Sequence, residues 1–316
     1  MAARVTIVGA GIAGAACARE LLAAGLDVSI VDRGRAPGGR MAAPQVHGRR
    51  TDLGAAYFTV SDDDFAEVVA GWRDRGLARE WTDTFTVIEH RDRRTTQGPM
   101  RYATPGGLRS LVRDLLPEGV EVGYQQRIDS LGELDHEVDA VVLAMPDPQA
   151  ERLAPEVVEW VAYDPVISVA VGWDEPQWQP FDAAFVNDDP DVSFVADDGA
   201  RRGDGAAVLV AHTTADRAWE HLDAPADAER AVLAALARTL RVDLDPEWTH
   251  THRWTYAKPA ATHGDEPFGL LEHRGRPLGL ATDSWCPTGK PRVESAWLSG
   301  RALGRALAGQ LSSRPT

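Results

Sequence analysis

The sequence predicts an α/β protein in two parts: a parallel-sheet, Rossmann-like domain built from separated segments, and an antiparallel-sheet α+β domain inserted between them. Three observations predict it. The chain opens as strand, glycine turn, helix and strand in "RVTIVGAGIAGAACARELLAAGLDVSIVD". Its middle is a series of short strands joined by Asp, Gly and Pro turns. Its end is a buried strand followed by an amphipathic helix. A length of 316 residues suits about two domains, and a hydrophobic content of 44% is ample for their cores. The expected boundaries give residues 1–60, 102–160 and 276–316 to the first domain. Residues 61–101 and 161–275 go to the second.

The elements follow in order. Val5, Ile7 and Val8 make a short apolar run, and "DVSIVD" makes another. Continuous rather than alternating apolar runs mark strands covered on both faces of a parallel sheet. The helix between them is expected from about Ile12 to Ala24, with Gly25 as its C-terminal stop. "GGLRSLVRDLL" reads as an amphipathic helix, "GVEVGYQQRIDSL" as a strand and "VDAVVLAMP" as a buried strand. In the middle, "TFTVIEH", "VISVAVGW", "AAFVNDD", "SFVADD" and "AAVLVAHTT" have the antiparallel character, interrupted by one helix, "PADAERAVLAALARTL". "WTHTHRWTYAKP" alternates again. "PLGLATD" is a buried strand, and "PRVESAWLSGRALGRALAGQL" closes the chain as a helix with Pro291 at its start.

A formal net charge of -15 argues against nucleic-acid or anionic-membrane partners, because such a surface repels phosphates. Arg91, Arg93 and Arg94 form only a short cluster, read as a solvated turn. Cys17 and Cys286 give no disulfide framework, and a reducing, cytoplasmic setting is expected. The apolar stretch from Val5 to Leu26 is broken by Gly9, Gly11 and Gly14 and charged at Arg19 and Glu20. It is therefore expected to be neither a signal peptide nor a membrane span.

Gly9, Gly11 and Gly14 form GxGxxG directly after a strand and before a helix. The first glycine permits the tight turn, the second lets a pyrophosphate approach the backbone, and the third lets helix and strand pack closely. The pyrophosphate then meets the first helical amides, at Ile12 and Ala13. Asp32, followed by Arg33, ends the next strand, where an acid accepts ribose hydroxyls. NAD and FAD both satisfy this much. "VDRGRAPGGR" adds a second glycine pair and a cation, Gly38, Gly39 and Arg40, which suits the longer anionic part of FAD. Arginine fits there because its planar fork holds phosphate oxygens two at a time.

With "TDLGAAYFTV", "YATPGGLRSL", "VVLAMPDPQA", "RWTYAKP" and "DSWCPTGKPRVESAWLSGRAL", the chain resembles the renalase-like FAD-dependent oxidoreductases of the flavin amine-oxidase superfamily. The resemblance implies a non-covalent FAD in a domain of the glutathione-reductase type and a substrate domain over the flavin face. It implies that Arg40 lies between pyrophosphate and flavin, that Gly54, Ala55, Ala56 and Tyr57 lie at the flavin edge, and that Ile128 meets the adenine. The resemblance also implies that Asp283 holds the ribityl or phosphate end. The start of the closing helix, at Arg292 and Val293, is the candidate dipole for the reduced ring.

The activity implied is oxidation of 2- or 6-dihydronicotinamide dinucleotides to NAD(P)+, with oxygen reduced to hydrogen peroxide. The small-molecule substrate would be closed in by aromatics flanking the motifs: Tyr57, Phe58, Trp254, Tyr256 and Trp285. A flavin amine oxidase, a desaturase and a non-catalytic flavin-binding sensor are the alternatives. Lys258 stands where the renalase-like pattern has an apolar residue; it faces either solvent or the flavin. His212, His250 and His252 lack the third ligand a metal needs, so no metal site is expected, and Ser284 has no recognisable base.

Overall fold

The computed structural model describes residues 2–90, 92–134, 138–156, 158–242 and 245–313. Arg91 of the arginine cluster lies outside the described residues. The chain divides into two compact units. The first comprises Met1–Met41, Arg109–Tyr163 and Pro259–Thr316, and the second Ala42–Leu108 and Asp164–Lys258.

The first unit is built on a six-stranded sheet. Its order is Gly269–His273, Arg276–Leu280, Ala140–Leu143, Arg4–Val8, Asp27–Asp32, Glu121–Tyr124. Neighbours run parallel except the first pair, which is an antiparallel hairpin. Val5 and Ile7 lie between Val28 and Ile30 on one side and Ala140 and Val142 on the other. This is the apolar register a doubly covered sheet requires. The expected helix runs Ile12–Ala23, and Gly25 has φ +81, the left-handed geometry of a helix stop.

The closing helix runs Val293–Ser312. Its cap is Arg292, not Pro291, because the Ser295 hydroxyl accepts the Arg292 N–H at 2.7 Å and donates back to the Arg292 carbonyl at 2.8 Å. It buries Ala296, Gly300, Leu303, Gly304, Leu307 and Leu311, one stripe at helical spacing. A side chain at Gly300 would collide with the Ala13 backbone, and one at Gly304 would press on Cys17. Two glycines one turn apart therefore let the first and last helices of the chain touch backbone to backbone. Cys17 is buried in that contact, and burial pushes its thiol pKa up.

The second unit is an eight-stranded sheet: Trp248–Pro259, Tyr163–Gly172, Val208–Thr213, Val192–Asp197, Ala183–Asn187, Arg79–Glu89, Asp92–Ala103, Phe58–Thr59. From Tyr163–Gly172 through Val208–Thr213 and Val192–Asp197 to Ala183–Asn187 neighbours are antiparallel, Ala183–Asn187 with Arg79–Glu89 is parallel, and Asp92–Ala103 is antiparallel to both Arg79–Glu89 and Phe58–Thr59. The two faces differ. Ile167, Val169, Val171, Val195, Leu209 and Ala211 join Val232 and Leu236 of the helix Glu229–Leu240 in an apolar core. The alternate residues Ser168, Ala170, Phe194, Val210 and His212 point the other way, as the period of two demands. Leu53, Ala56 and Tyr57 pack on that second face.

Several elements differ from the sequence expectation. "GVEVGYQQRIDSL" is a strand only over Glu121–Tyr124, because Gln125 turns at φ +58. The compact units divide after Met41 rather than at residue 60, since Phe58–Thr59 pairs with Asp92–Ala103. Residues 259–275 fall in the first unit, since Gly269–His273 pairs with Arg276–Leu280. The inserted unit also carries the helix Asp63–Asp74, where Asp62 caps the Phe65 N–H at 3.0 Å and Phe65, Val69 and Trp72 are buried. Among the described residues no helix is long and apolar enough to cross a membrane.

Candidate cofactor and substrate sites

The glycine turn behaves as its chemistry requires. Gly9 has φ +119, and its N–H donates to the Val31 carbonyl at 2.8 Å. A side chain at Gly9 would strike the Ala144 carbonyl, and one at Gly14 would strike the Gly9 carbonyl. Gly11 is different: a side chain there would meet no protein atom within 4 Å. The outer glycines are thus demanded by packing, while the middle one borders open space. The helix that follows has Gly11 as its cap, so no capping side chain bonds its first amides. The turn is therefore a cradle for an anion at a helix start, and the residues fit a pyrophosphate.

Asp32 has already committed part of its carboxylate. Oδ2 accepts the Ala10 N–H at 2.7 Å and Oδ1 the Gly34 N–H at 2.6 Å. A carboxylate accepts about four hydrogen bonds, so capacity remains for hydroxyls. The second glycine pair docks on the first turn. The Gly38 N–H donates to the Ala10 carbonyl at 2.9 Å, and a side chain on Gly39, at φ +53, would lie 3.5 Å from the Gly11 Cα. Arg33 and Gly39 are exposed, and Ile128, like Val31, is partly buried against an apolar cluster.

Arg40 makes a two-pronged ion pair with Asp283, at 3.0 and 2.5 Å, and its guanidinium lies 5.7 Å from the centre of the Tyr163 ring. The sequence reading placed both residues at the cofactor but did not pair them. A buried polar chain continues beside them. Ser284 donates to Asp147 at 3.0 Å, Thr282 and Ser284 share a hydrogen bond at 2.5 Å, and His263 Nε2 meets the other Asp147 oxygen at 2.6 Å. The His263 ring stacks on Trp285 at 3.8 Å and 12°. Asp147 and His263 were missed because 116 residues separate them in sequence. Ser284 thus has a carboxylate partner, but the histidine bonds that carboxylate and not the hydroxyl.

Arg40→Ala and Asp283→Ala should each lower FAD retention and melting temperature. In the double variant the losses should add to less than their sum, by about 0.5–3 kcal/mol, since each single change strands a charge. Strict additivity in a double-mutant cycle would mean that the pair is incidental.

In the inserted unit the segment from Asp52 to Tyr57 is held as a fixed shelf. The Leu53 carbonyl accepts from Ser168 at 2.5 Å and from the Trp254 indole at 2.9 Å. Arg201 donates to the Ala56 carbonyl at 3.1 Å and the Asp52 carbonyl at 3.3 Å, and pairs with Asp198. The Asp52 side chain accepts the Leu108 N–H at 2.8 Å and faces Arg202 at 3.4 Å. Burial pushes the Asp52 carboxyl pKa up to about 6, against the opposing pull of Arg201. None of Asp52, Asp198, Arg201 and Arg202 was singled out from sequence.

The aromatic candidates occupy different surroundings. Tyr57 lies edge-on to Phe85 at 5.3 Å and tilted against Trp81 and Phe194. Phe58 is in the core, stacked on Tyr102 at 5.4 Å and edge-on to Phe65 and Trp72. Trp254 packs near Leu53 and edge-on to His252. Tyr256 is half-buried on the same strand, and Trp285 belongs to the first unit.

His212 is buried with its ring 5.5 Å from Phe194. Burial first, then the charges of Lys258 and Arg201, push its pKa down to about 3, so the ring is neutral, and Nε2 has no hydrogen-bond partner. Lys258 is exposed on its strand, and nearby protein holds its ammonium below its ordinary value against the pull of Asp164.

Comparison with known proteins identifies the family. Residues 7–72 match the NAD(P)-binding Rossmann-like domain, and residues 71–307 match the flavin containing amine oxidoreductase family. A hydroxyneurosporene desaturase of Rubrivivax gelatinosus is 49% identical over 57 residues, which are 18% of this chain and 11% of that protein. The protoporphyrinogen oxidase-like structure from Exiguobacterium sp. 255-15 superposes with a TM-score of 0.77 at 15% identity, covering 98% of this chain and 99% of the other. Cyclohexylamine oxidase from Brevibacterium oxydans IH-35A gives 0.72 at 15% identity, covering 99% and 100%. Identity that low shows shared fold alone. The family match spans most of the sequence: the chain belongs to the flavin containing amine oxidoreductase family, and its cofactor is FAD.

Proposed function

We propose that this chain is a renalase-like FAD-dependent oxidase. Its reductant is a 2- or 6-dihydronicotinamide dinucleotide, and its products are NAD(P)+ and, from oxygen, hydrogen peroxide. The observation that carries the cofactor half of this reading is the glycine turn, closed by packing at Gly9 and Gly14 and open at Gly11. When bound, FAD supplies the two-electron redox chemistry that side chains cannot.

In this reading FAD is held without a covalent link. Gly9, Gly11, Ile12, Ala13 and Gly14 hold the pyrophosphate, Asp32 and Arg33 the ribose, and Ile128 the adenine. Arg40 and Asp283 act together on the anionic middle of the cofactor. Gly54, Ala55, Ala56 and Tyr57 form the flavin-edge segment, fixed by Arg201 at the Ala56 carbonyl and, just before it, by Trp254 at the Leu53 carbonyl. The helix start at Arg292 and Val293 favours negative charge on the reduced ring, by roughly 0.3–2 kcal/mol.

On the substrate side the donor loses hydride and no proton, so no base is required. A neutral His212 suits that demand, because it orients by hydrogen bonding without taking up a proton near pH 7. Tyr57, Trp254, Tyr256 and Trp285 are the aromatic candidates for a flat substrate. The family itself favours a second reading, a flavin amine oxidase or desaturase.

Anaerobic mixing separates the two. The 2- and 6-dihydro isomers should bleach the flavin absorbance about a hundredfold faster than ordinary NADH, whose hydride leaves from a different ring carbon, since an ångström of misplacement costs roughly that factor. Rapid bleaching by a primary amine or polyamine, with none by the isomers, would replace this reading with the second.

A further inference from the structure

Arg101 lies in the strand Asp92–Ala103 of the inserted unit and is only 6% exposed. Its guanidinium sits 3.8 Å from the centre of the Phe85 ring and 5.7 Å from that of Tyr57. Nε and Nη1 have no hydrogen-bond partner, and among the described residues no carboxylate pairs with it. Asp83 feels its charge, but the Asp83 carboxylate is engaged by Thr84 at 2.7 Å and Gln97 at 2.8 Å. Gly98 keeps the ground beside the guanidinium clear: a side chain there would come within 3.0 Å of Nη2.

Other buried arginines of this unit are compensated. Arg201 has Asp198 and two carbonyls, and Arg202 has Asp52 and the Pro105 carbonyl. Arginine does not shed its proton, so Arg101 stays a cation with aromatic faces as its compensation. A buried charge without a counter-charge is costly unless a ligand completes it. The charge also stands on a surface of rings: Phe85 contacts Phe185 and Phe194, and Tyr57 lies against Phe85.

We infer that Arg101, on the aromatic face formed by Phe85 and Tyr57, is the subsite for an anionic group of a flat ligand. It selects anionic substrates, of phosphate or carboxylate type, over cationic amines. This rests on the reading that the inserted unit presents the substrate. It adds a charge requirement that the redox assay alone does not test.

The experiment uses FAD-loaded protein, with Arg101→Met and Arg101→Lys beside the parent. Pyrophosphate and benzoate are titrated by calorimetry, as phosphate and planar carboxylate probes, with putrescine as the cationic control. At least one anion should bind the parent saturably and at least tenfold more weakly to Arg101→Met. Arg101→Lys should retain part of the affinity, and putrescine should not compete.

The melting temperature of anion-free Arg101→Met should equal or exceed that of the parent, since an uncompensated charge has been removed. With an anionic reductant, KM should rise at least tenfold while kcat changes little. Equal anion binding by parent and Arg101→Met, or no saturable binding by the parent, overturns the inference. So does a melting temperature several degrees lower in Arg101→Met, which would make Arg101 a structural brace. If the dihydro isomers leave the flavin oxidised while an anion binds through Arg101, the dinucleotide reading fails and the anion subsite stands.

Discussion

Arg201→Met should destabilise the protein by about 3–5 kcal/mol at neutral pH, the usual cost of removing one partner from a buried ion network. Arg201 is 1% exposed and serves Asp198, the Asp52 carbonyl and the Ala56 carbonyl at once. Methionine fills much of the volume but donates nothing. Asp198 keeps Arg49 and Asp52 keeps Arg202, so the network is weakened rather than abolished.

The loss should depend on pH in a stated direction. The Asp52 carboxyl, at about 6 when folded, lies above its ordinary value of 3.8. The folded state therefore binds the proton more tightly, and stability from this group falls as pH rises across that window. Without Arg201 the window extends upward. The gap in melting temperature between parent and variant should widen from pH 5 to pH 7. A gap that is constant with pH, or a loss under about 1 kcal/mol, would show that Arg201 does not hold Asp52 as described.

The parallel half of the fold is legible in sequence because each of its signals is local. Apolar runs such as Val5 to Val8, the spacing of Gly9, Gly11 and Gly14, and an acid at Asp32 lie within one short stretch. The shelf from Asp52 to Tyr57 is not legible, because its supports come from residues such as Arg201, 149 positions away from Asp52. Charged residues in "ADDGARRGDG" fall among the Asp and Gly turns between strands, and only the fold shows that Asp198, Arg201 and Arg202 are buried.

Gly300 and Gly304 raise a related difficulty. A glycine inside a helix looks like a propensity cost of about 1 kcal/mol, and only the partner helix at Ala13 and Cys17 shows why it is there. The strand Asp92–Ala103 escapes for a third reason. Its residues are mostly polar and exposed, so pairing with Arg79–Glu89, and not an apolar pattern, makes it a strand. The helix Asp63–Asp74 was open to reading, since Asp62 precedes apolar residues at positions 65, 69 and 72.

Gly14→Ala and Gly11→Ala should both yield protein almost without FAD, but for different reasons that one further measurement separates. A methyl at Gly14 collides with the Gly9 carbonyl, and Gly9 is itself pinned by the Ala144 carbonyl. The turn must shift, so the cofactor-free variant should melt several degrees below the cofactor-free parent. A methyl at Gly11 meets no protein atom within 4 Å. The cofactor-free Gly11→Ala protein should therefore melt as the parent does, since its methyl occupies space that only a ligand would claim. In both variants the amides at the helix start no longer meet the pyrophosphate properly. Losing two charge-assisted hydrogen bonds, at about 1.5–3 kcal/mol each, weakens binding by a hundredfold or more. Flavin content by absorbance after desalting, and melting with and without added FAD, are the measurements. Full FAD retention by Gly11→Ala with an unchanged melting temperature would mean that the open side of the turn is not where the pyrophosphate lies, and the placement of the cofactor would have to be abandoned.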